Sequence, residues 1–164
     1  MDQRKRQKNQ QGIGGLNTMV DLFQRIAFLK NTSIFREVNT DDLRFVADVL
    51  EEEPCFNGDT IFEKNDQGDY LYIVINGEVG ITLDAARPNF VATMTKGDCF
   101  GEMNLIDDLP RSATAVVLQD GLLLKLGKQK LRGLILSYPE LGLGMLKALS
   151  MRLRATTNRI ERNG

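Results

Sequence analysis

Turn signals recur at short intervals through the middle of this chain, and no other feature of the sequence constrains its fold as strongly. Between residues 52 and 127 they separate short segments rich in β-branched and aromatic side chains. The signals are Asn57-Gly58-Asp59, Asn65-Asp66, Gln67-Gly68-Asp69, Asn76-Gly77, Gly97-Asp98 and Asp120-Gly121. Short strands broken in this way are typical of a β-barrel or jelly roll, and Asn-Gly is the strongest short hairpin signal.

Seven strands are predicted between these turns. They cover residues 53–57, 60–64, 70–75, 78–83, 90–95, 112–118 and 122–126. Most of the glycines in this region are explained by turn geometry. Gly101 is the exception, and we assign it to the close approach of a ligand.

Helical periodicity precedes the β-rich region, in residues 16–51. Apolar side chains begin at Leu16 with helical spacing, and Asn31 and Thr32 end this first helix. A second helix is predicted to begin near Asn39 or Thr40, because aspartates follow at its positive end. Residues 1–15 are polar and basic, which predicts a disordered tail. The alternative is weak attachment to an acidic partner or a membrane surface.

Helical periodicity also follows the β-rich region, in residues 128–164. A helix over residues 128–136 is followed by a break at Tyr138-Pro139-Glu140, and a long last helix ends near Arg162. An a/d seam in this last helix comprises Leu146, Leu149, Leu153, Thr156 and Ile160. We expect a parallel homodimer through the seam; the alternative is that the stripe packs on its own barrel.

Two further features of the last helix are its glycines and its arginines. Gly142 and Gly144 weaken the start of the helix or permit close approach of another segment. The arginines, which are Arg152, Arg154, Arg159 and Arg162, are interpreted as a solvated face near the negative end of the helix.

The composition argues against several classes of function. The 164 residues carry a net charge of −1, so the whole chain is not a polycation of the nucleic-acid-binding kind. There are no histidines, which argues against Ser-His and Cys-His nucleophiles and against cupin-type metal sites. Two cysteines, Cys55 and Cys99, do not make a disulfide framework. We expect a cytoplasmic protein with no membrane span, catalytic residue, metal or cofactor.

The stretch CFGEMNLIDDLPRSATAVV, residues 99–117, carries the chemistry. Peptide N–H groups that open a short helix after Gly101 form a possible anion site. Arg111 adds a planar cation suited to phosphate, and Glu102 adds an acceptor suited to a sugar hydroxyl. These groups predict a sugar-phosphate ligand. The alternative is a plain turn between strands, with Glu102 and Arg111 as a surface ion pair.

This stretch resembles the phosphate-binding cassette of the cyclic nucleotide-binding domain family, over residues 99–113. The family pattern F-G-E-L/M-small-L, a short loop, then P-R-S/T/A-A is matched by Phe100, Gly101, Glu102, Met103, Leu105, Pro110, Arg111, Ser112 and Ala113. Asn104 departs from the pattern, since the family usually has Ala, Gly or Ser there. The resemblance extends over residues 20–162 and implies an eight-stranded jelly-roll β-barrel (a double-stranded β-helix) over residues 52–127. N-terminal helices and a long C-terminal helix flank it in a single domain.

The resemblance also implies roles for individual residues. Arg111 would pair with the cyclic phosphate, aided by Ser112 and by the backbone around Met103, Asn104 and Leu105. Glu102 would accept a hydrogen bond from the ribose 2′-hydroxyl. The purine would lie against Val79, Ile81 and Phe100, which are equally suitable as core residues. The segment RLRATTNRI resembles the dimer helix of the bacterial cAMP receptors of this family, so Thr156 would contact the base in its own subunit and Thr157 the base in its partner. The alternative is two exposed threonines near a helix end.

The function implied by the resemblance is a cyclic nucleotide sensor, for cAMP more than cGMP, that converts binding into movement of the C-terminal helix. The loop over residues 107–110 would close on the phosphate. One alternative is a dimerisation or docking module without a ligand, which Asn104 favours. Another is the effector domain of a transcription regulator, channel or transporter, with no direct DNA binding by this chain and an unknown effector partner.

Overall fold

A computed structural model describes residues 20–87 and 89–163. Within these residues six strands form one antiparallel sheet, and helices flank it. The strands are β1 Glu51–Cys55, β2 Thr60–Phe62, β3 Tyr70–Thr82, β4 Phe90–Met94, β5 Cys99–Phe100 and β6 Thr114–Gly127. The helices are α1 Leu22–Asn31, α2 Thr40–Asp48, α3 Met103–Asp107, α4 Lys128–Ser137 and α5 Pro139–Asn163. The polar tail and the helix start expected at Leu16 lie outside the described residues.

Strands β3 and β6 form the centre of the sheet. They pair antiparallel along nearly their whole length, from Tyr70 opposite Gly127 to Thr82 opposite Thr114. Strands β1 and β2 pair with successive parts of β6, and β5 and β4 pair with successive parts of β3. The pairing does not close into a barrel.

The expected eight-stranded closed barrel is therefore wrong in strand number and in closure. Two of the predicted turns lie inside long strands, which accounts for the smaller number of strands. Asn76-Gly77 and Asp120-Gly121 were expected to end strands, but they lie inside β3 and β6 and face each other where the pairing register shifts. Gly77 has φ +87°, and a Cβ atom on it would lie 2.8 Å from the Gln119 carbonyl oxygen. Glycine is needed there because the two strands bend across each other, not because the chain reverses.

Side chains of the central strands alternate between two apolar clusters. The helix-side cluster takes Leu71 and Ile73 from β3 and Leu124 and Leu126 from β6, together with buried residues of the helices. The inner cluster comprises Cys55, Tyr72, Val74, Val79, Phe100, Ala115, Val117 and Leu123. Both ends of β3 and of β6 contribute to the inner cluster, so the sheet folds over a shared interior.

The N-terminal helices have clear start signals. Asp21 caps α1 in a capping box with Gln24, and the Asn39 side chain accepts from the Asp42 amide at the start of α2. The predicted start of the second helix at Asn39 or Thr40 is confirmed. The buried face of α2, which includes Leu43, packs in the helix-side cluster and so places this helix against the sheet.

Helix α5 begins packed on the N-terminal helices and then leaves the body. Tyr138, just before α5, stacks on Phe45 of α2 with ring centroids 3.9 Å apart. Leu141, Met145 and Ala148 are buried, whereas every side chain of residues 150–162 is exposed. The seam therefore does not pack on the chain's own sheet beyond its first residues. Across residues 20–87 and 89–163 no helix combines the length and hydrophobicity that a membrane crossing requires.

Candidate functional site

The backbone at Arg111 is held by the turn after β2. The Arg111 amide donates to the Asp66 carbonyl, and the Asn65 amide donates to the Arg111 carbonyl, both at 2.8 Å. Asn65 adopts φ +74°, a left-handed conformation that asparagine tolerates. These two hydrogen bonds fix the backbone so that the Arg111 side chain points into the protein. The residue is only 4 % exposed.

Neutral oxygens surround the Arg111 guanidinium. Nη1 donates to the Gly101 carbonyl at 3.0 Å and to Asn104 Oδ1 at 2.9 Å, and Nη2 donates to the Tyr70 carbonyl at 2.6 Å. The ring of Phe62 lies 4.0 Å from the guanidinium carbon. Nε is buried and has no hydrogen-bond partner within the described part of the chain.

The charge of Arg111 is not paired directly with a carboxylate of the described residues, although Asp69, Asp66 and Glu102 lie near enough to favour the charged form. No carboxylate oxygen of the described residues lies within 4.0 Å of its guanidinium nitrogens. Burial lowers the pKa of Arg111 from its usual value, although a guanidinium remains charged at neutral pH. A buried cation is costly unless it is paired. A buried guanidinium with an unused donor and no directly paired carboxylate is suited to binding an anion.

Two glycines allow the guanidinium to fit. Gly101 has φ +76°, and a Cβ atom on it would lie 2.6 Å from Arg111 Nη1. Gly68 is buried, and a Cβ atom there would lie 2.6 Å from Asn104 Cβ and 2.9 Å from Arg111 Cζ. Gly101 is thus required by the approach of Arg111 itself; its assignment to the approach of a ligand stays a prediction.

The short helix α3 opens with unused amide groups. Glu102 precedes it without a side-chain cap, and the amides of Met103 and Asn104 donate no hydrogen bond within the described residues. The Leu105 amide donates to the Glu102 carbonyl at 3.2 Å, and the Leu105 side chain is buried in the helix-side cluster. Leu105 therefore anchors α3 to the helix-side cluster. Among the N–H groups that open α3, only those of Met103 and Asn104 remain available as donors within the described residues.

Glu102 does not pair with Arg111, so the expected alternative of a surface ion pair between them is wrong. Its side chain is 14 % exposed and accepts from Arg152 of α5 at 3.2 Å. Arg152 remains on the exposed face predicted for it, and the contact with Glu102 adds a partner that was not predicted. This contact links the cassette, residues 99–113, to the C-terminal helix.

Asp108 links the end of α3 to α4. It has φ +58° and forms ion pairs with Lys128 and with Arg132, the latter at 2.8 Å. Hydrogen bonds from Lys128 and then Arg132 lower the pKa of Asp108. Lys128 is buried and also donates to the Asn104 carbonyl at 2.9 Å. Both ends of α3 are thereby fixed to the C-terminal helices.

The remaining predicted site residues lie further from the guanidinium or are covered. Val79 and Phe100 are buried in the inner cluster, where Phe100 stacks on Tyr72 with ring centroids 5.3 Å apart. Met103 and Ser112 are exposed, and Ala113 is half-buried. On α5, Thr156 donates to the Arg152 carbonyl and Thr157 to the Leu153 carbonyl, each at 3.1 Å. The structure thus brings Gly101, Asn104 and Arg111 into contact, but not the two threonines.

Several residues of the site were missed by sequence reasoning. They are Phe62, Gly68, the Tyr70 carbonyl, Lys128 and Arg152. Their contacts join residues 24 to 50 positions apart along the chain, so no local pattern marks them. Gly68 did stand out in the sequence as part of Gln67-Gly68-Asp69, but turn geometry explained this glycine equally well.

Comparison with known proteins agrees with this geometry. A family model described as "Cyclic nucleotide-binding domain" matches residues 55–138. The CRP-like cAMP-activated global transcriptional regulator of Mycobacterium tuberculosis is 31 % identical over 134 residues, which is 80 % of this chain and 60 % of the regulator. The chain thus spans less than two thirds of that relative.

Two solved structures are also similar. The N-terminal domain of a transcriptional regulator from Streptomyces coelicolor A3(2) has TM-score 0.72 and 30 % identity, covering 80 % of this chain and 95 % of that one. The regulatory domain of Toxoplasma gondii PKA, solved with cAMP, has TM-score 0.66 and 25 % identity, covering 72 % of this chain and 46 % of that one. Since the family match covers just over half of the sequence, the chain belongs to the cyclic nucleotide-binding domain family.

Proposed function

We propose that this domain binds cAMP, in preference to cGMP, and that Arg111 pairs with the cyclic phosphate. The observation that carries the proposal is the buried guanidinium, which within residues 20–87 and 89–163 has no partner for Nε and no carboxylate oxygen within 4.0 Å. Phosphate oxygens accept from guanidinium more strongly than neutral carbonyls do. A cyclic phosphodiester carries one negative charge, which would neutralise the buried cation.

The other predicted contacts follow from the same placement. The free amides of Met103 and Asn104, with Ser112 and Ala113 beside Arg111, would complete the phosphate site. Glu102 would accept from the ribose hydroxyl. Val79 and Phe100 would form the apolar side of the purine site after a local rearrangement, since both are now buried.

The preference for cAMP rests on the relatives. One is named as cAMP-activated and another was solved with cAMP, whereas two further relatives are named as cGMP-dependent protein kinases. Neither threonine of α5 contacts the cassette in this structure, so base recognition by Thr156 and Thr157 requires α5, or that of a partner, to approach. Parallel titrations with cAMP and cGMP would test the preference directly.

Movement of α5 is proposed as the output. Glu102 accepts from Arg152 through Oε1, and its second oxygen can accept from a ribose hydroxyl. A ligand that reorients the Glu102 carboxylate would weaken its contact with Arg152 and change where α5 sits. Ligand binding can shift this equilibrium only by its differential affinity for the two placements.

Replacement of Arg111 tests the function. Arg111→Ala should weaken cAMP binding by about 2–5 kcal/mol, or tens to thousands of fold, in isothermal titration calorimetry. Arg111→Lys keeps the charge but loses the fork, so intermediate affinity is expected. Arg36→Ala, at an exposed arginine of the α1–α2 connection, is the matched control and should bind normally. Unchanged affinity in a folded Arg111→Ala variant would remove this residue from the site.

A docking module without a ligand is the second candidate. Asn104 Oδ1 already bonds to the guanidinium, and the proposed purine wall is covered, which favours it. Thermal melting with rising cAMP separates the two functions, because a ligand of the folded state raises the melting temperature with concentration. No shift at millimolar cAMP would favour the docking module.

A further inference from the structure

Asn104 is the residue that most sharply distinguishes this cassette, and its side chain is fully engaged. It is 6 % exposed. Its Oδ1 accepts from Arg111 Nη1 at 2.9 Å, and its Nδ2 donates to the Leu109 carbonyl. The amide therefore bridges the guanidinium and the loop over residues 107–110.

The backbone of Gly68 closes one side of the space around Asn104. Its Cβ and Cγ lie against Gly68, where an added methyl group would be 2.6–2.7 Å away. Its carbonyl is held by Lys128 Nζ at 2.9 Å. The amide group cannot swing toward Gly68, so leaving the guanidinium means breaking the bond to Leu109 as well.

Two roles are compatible with this contact. Asn104 could orient Arg111 and remain bonded when a phosphate arrives. Alternatively, its Oδ1 could accept the same Nη1 hydrogen that a bound phosphate oxygen would accept, so that Asn104 and the phosphate compete for Arg111. Two observations favour competition. Arg111 is already oriented by the Gly101 and Tyr70 carbonyls and by the Phe62 ring, and Asn104 Oδ1 is the side-chain oxygen among its acceptors.

We propose that Asn104 is an internal competitor of the ligand, whose amide holds the Arg111 guanidinium in the ligand-free protein and must be displaced by the cyclic phosphate. The proposal rests on the proposed function and states what sets the affinity of the domain for the cyclic nucleotide. Displacement of the amide also frees the Leu109 carbonyl, so binding loosens the 107–110 loop from α3. Asn104 is thus an affinity-determining residue that raises the ligand concentration at which the domain responds.

The direction of the effect follows from thermodynamic linkage. If the Asn104 bonds exist only in the ligand-free state, then removing them destabilises that state alone and binding becomes tighter. If they persist in the complex, both states lose them equally and the affinity stays the same. If Asn104 prepares Arg111 for the ligand, its removal weakens binding.

Titration calorimetry on Asn104 variants tests the proposal. Asn104→Ala should bind cAMP about tenfold more tightly than the unaltered chain, which corresponds to about 1.4 kcal/mol. It should also melt at a lower temperature without ligand and show a larger ligand-induced rise. Asn104→Asp, which places a carboxylate beside the guanidinium, should bind at least about tenfold more weakly. Asn31→Ala, at an exposed asparagine ending α1, is the control and should match the unaltered chain.

The outcomes separate this inference from the proposed function. Unchanged or weaker binding by a folded Asn104→Ala variant overturns the competitor role, while the unaltered chain still binds. Binding by Asn104→Ala but not by the unaltered chain supports it in its strongest form. If neither binds cAMP or cGMP, both the proposed function and this inference fail. Should Asn104→Ala not fold, tighter binding by Asn104→Ser supports the role, and equal or weaker binding overturns it.

Discussion

Gly101 is a position where the cassette backbone lies close to the Arg111 guanidinium. A side chain at Gly101 meets two obstacles, the positive φ of +76° and the Nη1 atom 2.6 Å from the added Cβ. The left-handed conformation alone costs an alanine about 1–2 kcal/mol. The contact with Arg111 adds to this, because the guanidinium is held by three oxygens and cannot move freely.

Replacement of Gly101 by alanine should therefore destabilise the protein more than the conformation alone predicts. Gly97→Ala is the matched control, since Gly97 has φ +90° and an added Cβ there would meet nothing within 4 Å. We expect Gly101→Ala to lower the free energy of unfolding by about 1–3 kcal/mol more than Gly97→Ala does. Urea denaturation measures both, and equal losses would show that Arg111 gives way at little cost.

At the scale of single residues, the sequence predicts which side chains belong to the site better than it predicts which residues they contact. The pattern around Phe100 and Arg111 identified the cassette, because a local motif determines the backbone of α3. Glu102 was expected to face a ligand or Arg111, yet it pairs with Arg152, fifty positions along the chain. Such a pairing depends on where α5 lies, which no local pattern records. The same holds for Gly68, whose turn signal concealed a packing contact.

At the scale of elements, strands β3 and β6 show that a local turn signal does not decide between a chain reversal and a bend within a strand. Asn-Gly permits a hairpin, but it also permits a bend within a long strand, since both need positive φ. The choice depends on a partner strand, and β6 supplies one with its own glycine at the opposite position. The predicted helix start at Asn39 was confirmed because a cap is a local interaction.

Helix α5 is positioned by close contact with the connection between α1 and α2. A Cβ atom on Gly144 would lie 2.9 Å from the Val38 Cα atom, and Lys147 forms an ion pair with Glu37 at 3.2 Å. The close approach expected for the glycines of this helix is confirmed at Gly144. The direction of α5 is thus fixed near its start, and Arg152 ties it again to Glu102 two turns later.

The contact at Gly144 predicts opposite effects for two glycine replacements in helices. Gly133→Ala in α4, where nothing lies within 4 Å of the added Cβ, should stabilise the protein by about 0.5–1 kcal/mol. Gly144→Ala has the same intrinsic gain but must displace the Val38 backbone, so it should be less stable than Gly133→Ala by about 1–3 kcal/mol. Thermal and urea denaturation would measure the difference. Equal stabilisation by both changes would contradict tight packing at Gly144.

Across the whole molecule, the cassette is tied to the C-terminal helices at both ends of α3. Glu102 reaches Arg152 of α5, while Asp108 reaches Lys128 and Arg132 of α4. Each of these links has at least one exposed partner, so each contributes only modest stability on its own. Their arrangement nevertheless means that a displacement of α3 by a ligand changes contacts on both helices. The strands of the sheet, in contrast, are held by the two apolar clusters.

We expect the exposed half of α5 to pack against a partner. Residues 150–162 are exposed on all sides, and an isolated helix of this length is marginal in water. Its seam keeps Leu146, Leu153 and Ile160 exposed by 63 %, 69 % and 69 %. A second copy of α5 packed along this seam would bury these side chains.

Leu153→Glu should therefore convert a homodimer into a monomer, because two carboxylates would face each other in the seam. Sedimentation velocity measures the mass, and far-UV circular dichroism should show loss of helix as the separated arms fray. Leu136→Glu is the matched control, since Leu136 is a leucine of α4 that is 83 % exposed and lies outside the seam. A dimer that survives Leu153→Glu, or an unaltered chain that sediments as a monomer at micromolar concentration, would rule out this seam as the interface. In a monomer, base recognition by Thr157 across subunits would also be impossible.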